Sequence, residues 1–263
     1  MATIILITLK GIFRDRVFQG IMVTACAFLL IPGIASLSMR QVTELSLTLS
    51  LSMISFILLL LSVFLGGTSL WKDIERRYTF SVLELPLSRQ RYLLGRFGGT
   101  ALFVLLAAFV LGVAAFAVVM YSTIIFPPDK PIIWSTMALC ILFDALKYIL
   151  LIAVAFLFST VSTSFFLPVF GTIAAFLAGG VTQQVYEYIQ SPASKNLSPV
   201  VKQIATGAYY VLPNFSAFDL KVNTIYGLPV PADGLLLTLA YFVVYVGILL
   251  SLSAVIFIRR EMR

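Results

Sequence analysis

The sequence predicts an all-α integral membrane protein of six transmembrane helices, and three observations carry that expectation. Of its 263 residues 60% are apolar and only 11% charged, against about 25% charged in an ordinary soluble domain. The apolar residues gather in runs of about 20, the length of helix that crosses a hydrocarbon layer about 30 Å thick. The basic residues behind the net charge of +7 lie in short segments between those runs. That pattern orients a membrane protein and is unlike the continuous basic face that binds nucleic acid.

The chain opens with residues 3–17, in which Ile5, Leu9, Ile12 and Phe13 fall near helical spacing while Lys10, Arg14 and Asp15 lie to the other side. Residues 1–17 are therefore either an amphipathic helix in the cytoplasmic interface or the tilted beginning of the first span. Spans are expected at 18–37, 47–70, 98–125, 134–158, 165–185 and 234–258. Between the second and third lies a charged loop, 71–96. In it Ile74, Tyr78, Val82 and Leu85 recur at helical spacing, Lys72, Glu75, Arg76 and Glu84 supply a charged surface, and Pro86 ends the helix. On physical grounds such a helix is either a lever between a soluble partner and the spans or an interfacial helix that sets orientation. Between spans five and six, 186–233 is the longest polar stretch. Its Tyr186, Tyr188, Tyr209, Tyr210 and Tyr226 favour the headgroup level, so short interfacial helices outside the membrane are expected, one of them at Pro199 to Val211. The whole chain, 1–263, reads as one membrane domain.

Six spans put both termini on one side, and Lys and Arg select it. Lys10, Arg14 and Arg16, then Lys72, Arg76, Arg77, Arg89, Arg91 and Arg96, then Arg259, Arg260 and Arg263 make twelve on one face. Five lie on the other: Arg40, Lys130, Lys195, Lys202 and Lys221. The positive-inside rule then places both termini in the cytoplasm. A cleavable signal peptide is not expected, because a long basic segment precedes the first apolar run and no small-residue cleavage pattern follows it.

There is no histidine, which removes the commonest zinc ligand and the commonest general base at neutral pH. Cys26 and Cys140 sit in apolar runs, where a thiol behaves as a small hydrophobe, and imply no disulfide framework. No metal, cofactor or catalytic residue is expected on this chain. Asp144 and Lys147 are exceptional in lying within a span, three residues apart and so on one helical face. Ionised groups at that depth cost roughly 2.5–3.5 kcal/mol each. The two form a substrate or coupling site in an oligomer interior or a mutually neutralising pair, or Lys147 snorkels to the interface. Gly171, Ala174, Ala175, Ala178, Gly179 and Gly180 give span five a surface for close helix contact.

The run GGTSLWKDIERRYTFSVLELPLSRQRYLLGRFGG, Gly66 to Gly99, resembles the cytoplasmic coupling segment of type two ABC transporter permeases, the six-span exporter-like class. The matching positions are Glu75, Arg76, Tyr78, Thr79, Leu83, Pro86, Ser88, Arg89, Gly95 and Arg96. Leu9 to Arg16 resembles the family's elbow helix, and Leu212 to Lys221 its outer-face segment before the last span; the branch often labelled as multicopper enzyme maturation permeases is the most similar. The resemblance implies a cytoplasmic elbow helix, a coupling helix and a location in the cell inner membrane. It also implies a homodimer or paired permease docked on separate ATP-binding cassette ATPase subunits, which bind the ATP and magnesium. Asp73, Glu75, Arg76, Arg77 and Tyr78 would make the ATPase contact. The chain itself has no Gly-x-x-x-x-Gly-Lys-Ser/Thr phosphate loop.

Other classes fit less well. An intramembrane zinc protease needs histidine, and a serine version would have only Lys147 as its base. A secondary transporter would show repeated halves and broken helices, which the sequence lacks. A non-transporting membrane anchor of an envelope complex is the alternative to a permease.

Overall fold

The computed structural model describes residues 2–15, 18–20, 25, 30, 34–35, 41–68, 70–71, 88–128, 131–192 and 198–259. Among these the secondary structure is helical, with no strand. The elements are α1 (Ala2–Phe13), α2 (Val42–Leu61), which runs on into a π-helical turn at Ser62–Gly66, α3 (Arg89–Ile125) and α4 (Trp134–Val161). They continue with α5 (Phe166–Gln190), α6 (Pro199–Val211), a 3-10 turn at Ser216–Phe218, α7 (Lys221–Tyr226) and α8 (Ala232–Arg259). Among the described residues five helices, α2 with its π turn, α3, α4, α5 and α8, are long and apolar enough to cross a membrane. The expected first span, 18–37, lies largely outside the described residues, so five of the six expected spans are seen.

Helix α4 is the axis of the bundle. Leu150, Leu151, Ile152, Ala153, Ala155 and Phe156 on it have no exposed surface, and α2, α3, α5 and α8 all pack against it. The outer faces are apolar instead of polar: on α8 Leu237 is 75% exposed, with Leu236, Val243, Val244 and Ile248 beside it. Water does not tolerate a continuous surface of this kind, whereas lipid solvates it. This is the surface of a membrane protein.

Where lipid competes for apolar side chains, helices are held by close backbone approach. Helix α1 lies on α3 in this way: a Cβ at Gly95 would fall 2.8 Å from Ile4, and one at Gly99 2.6 Å from Thr8. The slot cut by these glycines selects the buried face of α1, which is Ile4, Thr8 and Ile12, whereas Phe13 of the apolar stripe read from spacing is exposed. Arg96 donates to the Thr8 hydroxyl at 3.3 Å.

Three boundaries differ from expectation. Helix α2 begins at Val42, five residues earlier than 47, because its polar residues are satisfied locally: Thr48 Oγ1 donates to the Glu44 carbonyl at 2.8 Å. Helix α3 begins at Arg89, within the segment taken as loop, with the Ser88 hydroxyl accepting from the Arg91 N–H at 3.4 Å. Helix α5 continues to Gln190, so the segment expected outside the membrane from 186 starts as helix.

That segment also folds back. Helix α6 occupies 199–211 as expected, but the chain after it runs down the side of the bundle. The N–H of Phe215 donates to the Gly179 carbonyl at 3.3 Å, and Ser216 Oγ to the Gly180 carbonyl at 2.9 Å. Gly179 lies eleven residues before the end of α5, about 16 Å along the axis at 1.5 Å per residue. On the other side Asn214 N–H donates to the Tyr241 hydroxyl at 2.9 Å, and the Tyr245 hydroxyl to the Val211 carbonyl at 2.6 Å. Asn214 Nδ2 reaches Gln183 Oε1 at 3.0 Å, and Asn214 Oδ1 accepts from Ser216 N–H at 3.1 Å. Non-helical backbone of this kind persists only where protein groups take the place of water, and Pro213 has no N–H to satisfy. Phe215 and Phe218 are buried at its tip.

Gly179 and Gly180 separate close approach from helix propensity. A Cβ at Gly179 would collide with the Pro213 carbonyl and lie 2.8 Å from the Phe215 ring, while one at Gly180 meets nothing within 4 Å. In detergent melts Gly179→Ala is expected to lower stability by about 1–3 kcal/mol; Gly180→Ala should be neutral or slightly stabilising.

Candidate functional site

Asp144 stands ten residues into α4, about 15 Å from its start. It is 4% exposed and Lys147, one turn on, 5%. The Lys147 ammonium pairs with Asp144 Oδ1, and Ser55 Oγ of α2 donates to Asp144 Oδ2. Both carboxylate oxygens are thus engaged, one by charge and one by a hydroxyl from 89 residues away in sequence. Lys147 Nζ also lies 4.7 Å from the centre of the Tyr148 ring, whose electron-rich face adds a second attraction for the cation. Lys147 points at its partners and not along a snorkelling path to the interface.

Sequence spacing brought Asp144 and Lys147 together, and the structure adds what spacing cannot reach. Ser55 completes the pair. The Tyr148 ring lies 6.1 Å from Phe176 of α5, and Phe176 lies 5.7 Å from Phe215 at the tip of the folded-back segment. A continuous row of side chains therefore runs from the ion pair to that tip. The available signal for Ser55 was the hydroxyl density of α2, with Thr43, Ser46, Thr48, Ser50, Ser52 and Ser55 in one apolar helix. Some of these hydroxyls are bonded across helices, as where Ser122 Oγ of α3 donates to Ser46 Oγ at 3.0 Å, while Thr48 bonds back to its own helix and Ser50 has no partner among the described residues.

Asp73, Glu75, Arg76, Arg77 and Tyr78, the expected ATPase contacts, lie outside the described residues. Their neighbours are placed. Arg89 Nη1 at the start of α3 donates to the Ile258 carbonyl at the end of α8, at 3.1 Å. Together with α1 on Gly95 and Gly99, this gathers Lys10, Arg14, Arg89, Arg91, Arg96 and Arg259 at one end of the bundle. At the opposite end Tyr186 and Tyr209 stack at 4.2 Å. There a hydrogen bond with the Tyr186 hydroxyl holds the Tyr210 phenol above its ordinary pKa.

No protein-family model and no curated protein matches this chain. What the site can do rests on its geometry. A carboxylate and an ammonium that neutralise each other within α4 leave one carboxylate oxygen for Ser55, and that hydrogen bond ties α2 to α4. Removing one partner strands the other charge, while removing both leaves an apolar contact. Asp144→Asn and Lys147→Met are each expected to destabilise by about 3–5 kcal/mol, and the double variant to recover most of the loss. Unfolding curves of the four proteins in one detergent give the coupling directly.

Proposed function

We propose that this chain is the membrane-spanning permease subunit of an ATP-binding cassette transporter, working on export or on the cell envelope. A separate ATPase chain hydrolyses ATP with magnesium. The observation that carries the reading is the charged run Lys72 to Ser88, which joins two long apolar helices, α2 and α3, and bears the coupling-type pattern around Glu75, Arg76 and Tyr78. The gathering of basic residues at that same end of the bundle supports a cytoplasmic location for both termini. In this reading 18–37 supplies the sixth span, α1 is the elbow helix and α6 and α7 lie on the extracytoplasmic side of the inner membrane. Two permeases, identical or similar, stand on two ATPases. Asp73, Glu75, Arg76, Arg77 and Tyr78 meet the ATPase, whose closure drives α2 and α3 between states. The Asp144 and Lys147 pair is internal to each permease, and Ser55 on Asp144 holds α2 to α4 as they move.

The test is co-purification from membranes in mild detergent with the ATPase encoded beside this chain. The wild type is expected to retain the ATPase and a Glu75→Ala/Arg76→Ala variant to lose it. A wild type that retains none supports the anchor alternative instead.

A further inference from the structure

Helix α1 packs on α3 and runs in the same direction as its first half, with Ile4 on Gly95, Thr8 on Gly99 and Phe13 on Phe103. Phe18 closes the far end of the contact, its ring 5.4 Å from that of Phe13 and 5.2 Å from that of Phe103. The face turned away from α3 mixes two kinds of residue. Leu6, Ile7 and Phe13 are 57%, 62% and 55% exposed, and Lys10 and Arg14 are exposed among them. Leu6, Lys10, Phe13 and Arg14 follow the helical repeat and so share one side of α1.

Lys10 and Arg14 stand one turn apart, close enough to meet a single acceptor group. Neither is in an ion pair among the described residues. Helix α1 contains no acid, and from Met1 to Gly20 the sequence sets Lys10, Arg14 and Arg16 against Asp15 alone. The face is therefore positive. Helical side chains lean toward the N-terminus of their helix, and α1 points its N-terminus to the basic end of the bundle, where α3 begins. Lys10 and Arg14 thus reach back toward the headgroup level while their stems lie among apolar neighbours.

An acidic protein surface would answer the two cations but leave Leu6, Ile7 and Phe13 against polar groups. A phospholipid answers both, acyl chains for the apolar side chains and phosphate for the cations. A zwitterionic headgroup carries a cation of its own beside the phosphate, whereas an anionic one leaves its charge for the protein. We propose that the outer face of α1 binds an anionic phospholipid, its phosphate held by Lys10 and Arg14 and its acyl chains laid against Leu6, Ile7 and Phe13. Helix α1 is then fastened on both sides, by the glycine slot of α3 and by lipid. No ATPase takes part, so failure of the co-purification above leaves the site standing.

Native mass spectrometry of the full chain in detergent, titrated with phosphatidylglycerol or with phosphatidylcholine of identical acyl chains, tests the site. The wild type is expected to bind its first phosphatidylglycerol about fivefold or more tightly than phosphatidylcholine. Lys10→Gln/Arg14→Gln should bring the two affinities together. Lys10→Arg/Arg14→Lys should keep the preference, and so should the charge-matched Lys202→Gln/Lys221→Gln outside α1. None of these positions lies in the glycine slot, and melting curves check that each variant folds as the wild type does. Equal affinities in the wild type overturn the proposal and leave the face to an acidic protein surface. A preference that survives Lys10→Gln/Arg14→Gln overturns it too, since the lipid is then held elsewhere.

Discussion

Two opposite charges that cannot reach water fix the arrangement of this bundle. Asp144 and Lys147 sit midway along α4, the helix that every other long helix touches, and both are buried. Neither ion is tolerable alone in a medium of low dielectric. The pairing satisfies one carboxylate oxygen and leaves the other in need of a donor, which Ser55 provides. That third group turns a local neutralisation within α4 into a registration of α2 against α4. From it follow the positions of Gly66 and Gly67 further along the same interface.

The rest of the packing obeys the constraint that lipid places on helix association. Apolar side chains gain little by leaving lipid for protein, so contacts rely on close backbone approach and on hydroxyls. Gly95 and Gly99 admit α1, Gly66 admits α4, and Gly179 admits the backbone of the folded-back segment. The same rule explains why that segment can leave helical geometry beside α5. Tyr241, Tyr245, Gln183, Gly179 and Gly180 between them supply the donors and acceptors that water would otherwise provide. Its tip meets Phe176, which meets Tyr148 beside the ion pair, so the centre of the bundle and the far-end loop share one packed row.

How much of this the sequence disclosed depends on the range of the interactions. Apolar length is a local property, and it placed α4 and α8 within a few residues, while the tyrosine-rich polar stretch placed α6 at its two ends. Helix starts were misjudged where polar residues are satisfied in ways that hydropathy does not record. Thr43, Ser46 and Thr48 extend α2 outward through back-bonds and contacts to α3, and Arg89, Arg91 and Arg96 begin α3 because Ser88 caps it. Asp144 and Lys147 were legible as a pair because they are one turn apart. Ser55 was not, since a partner 89 residues distant leaves no spacing to read. The folded-back tip was hidden for the same reason, each of its anchors lying on another helix.

The most direct measurement is solid-state NMR of the protein in lipid bilayers, with nitrogen-15 in lysine and carbon-13 in aspartate side chains. The account predicts strong dipolar coupling between Lys147 Nζ and Asp144 Cγ, of the size given by a hydrogen-bonded ion pair. That signal should be unaffected by a water-soluble paramagnetic ion that broadens Lys10 and Lys221. A Lys147 signal with no coupling to Asp144, broadened like the surface lysines, would contradict the account: α4 would then carry no internal lock, and α2 would need another reason for its register.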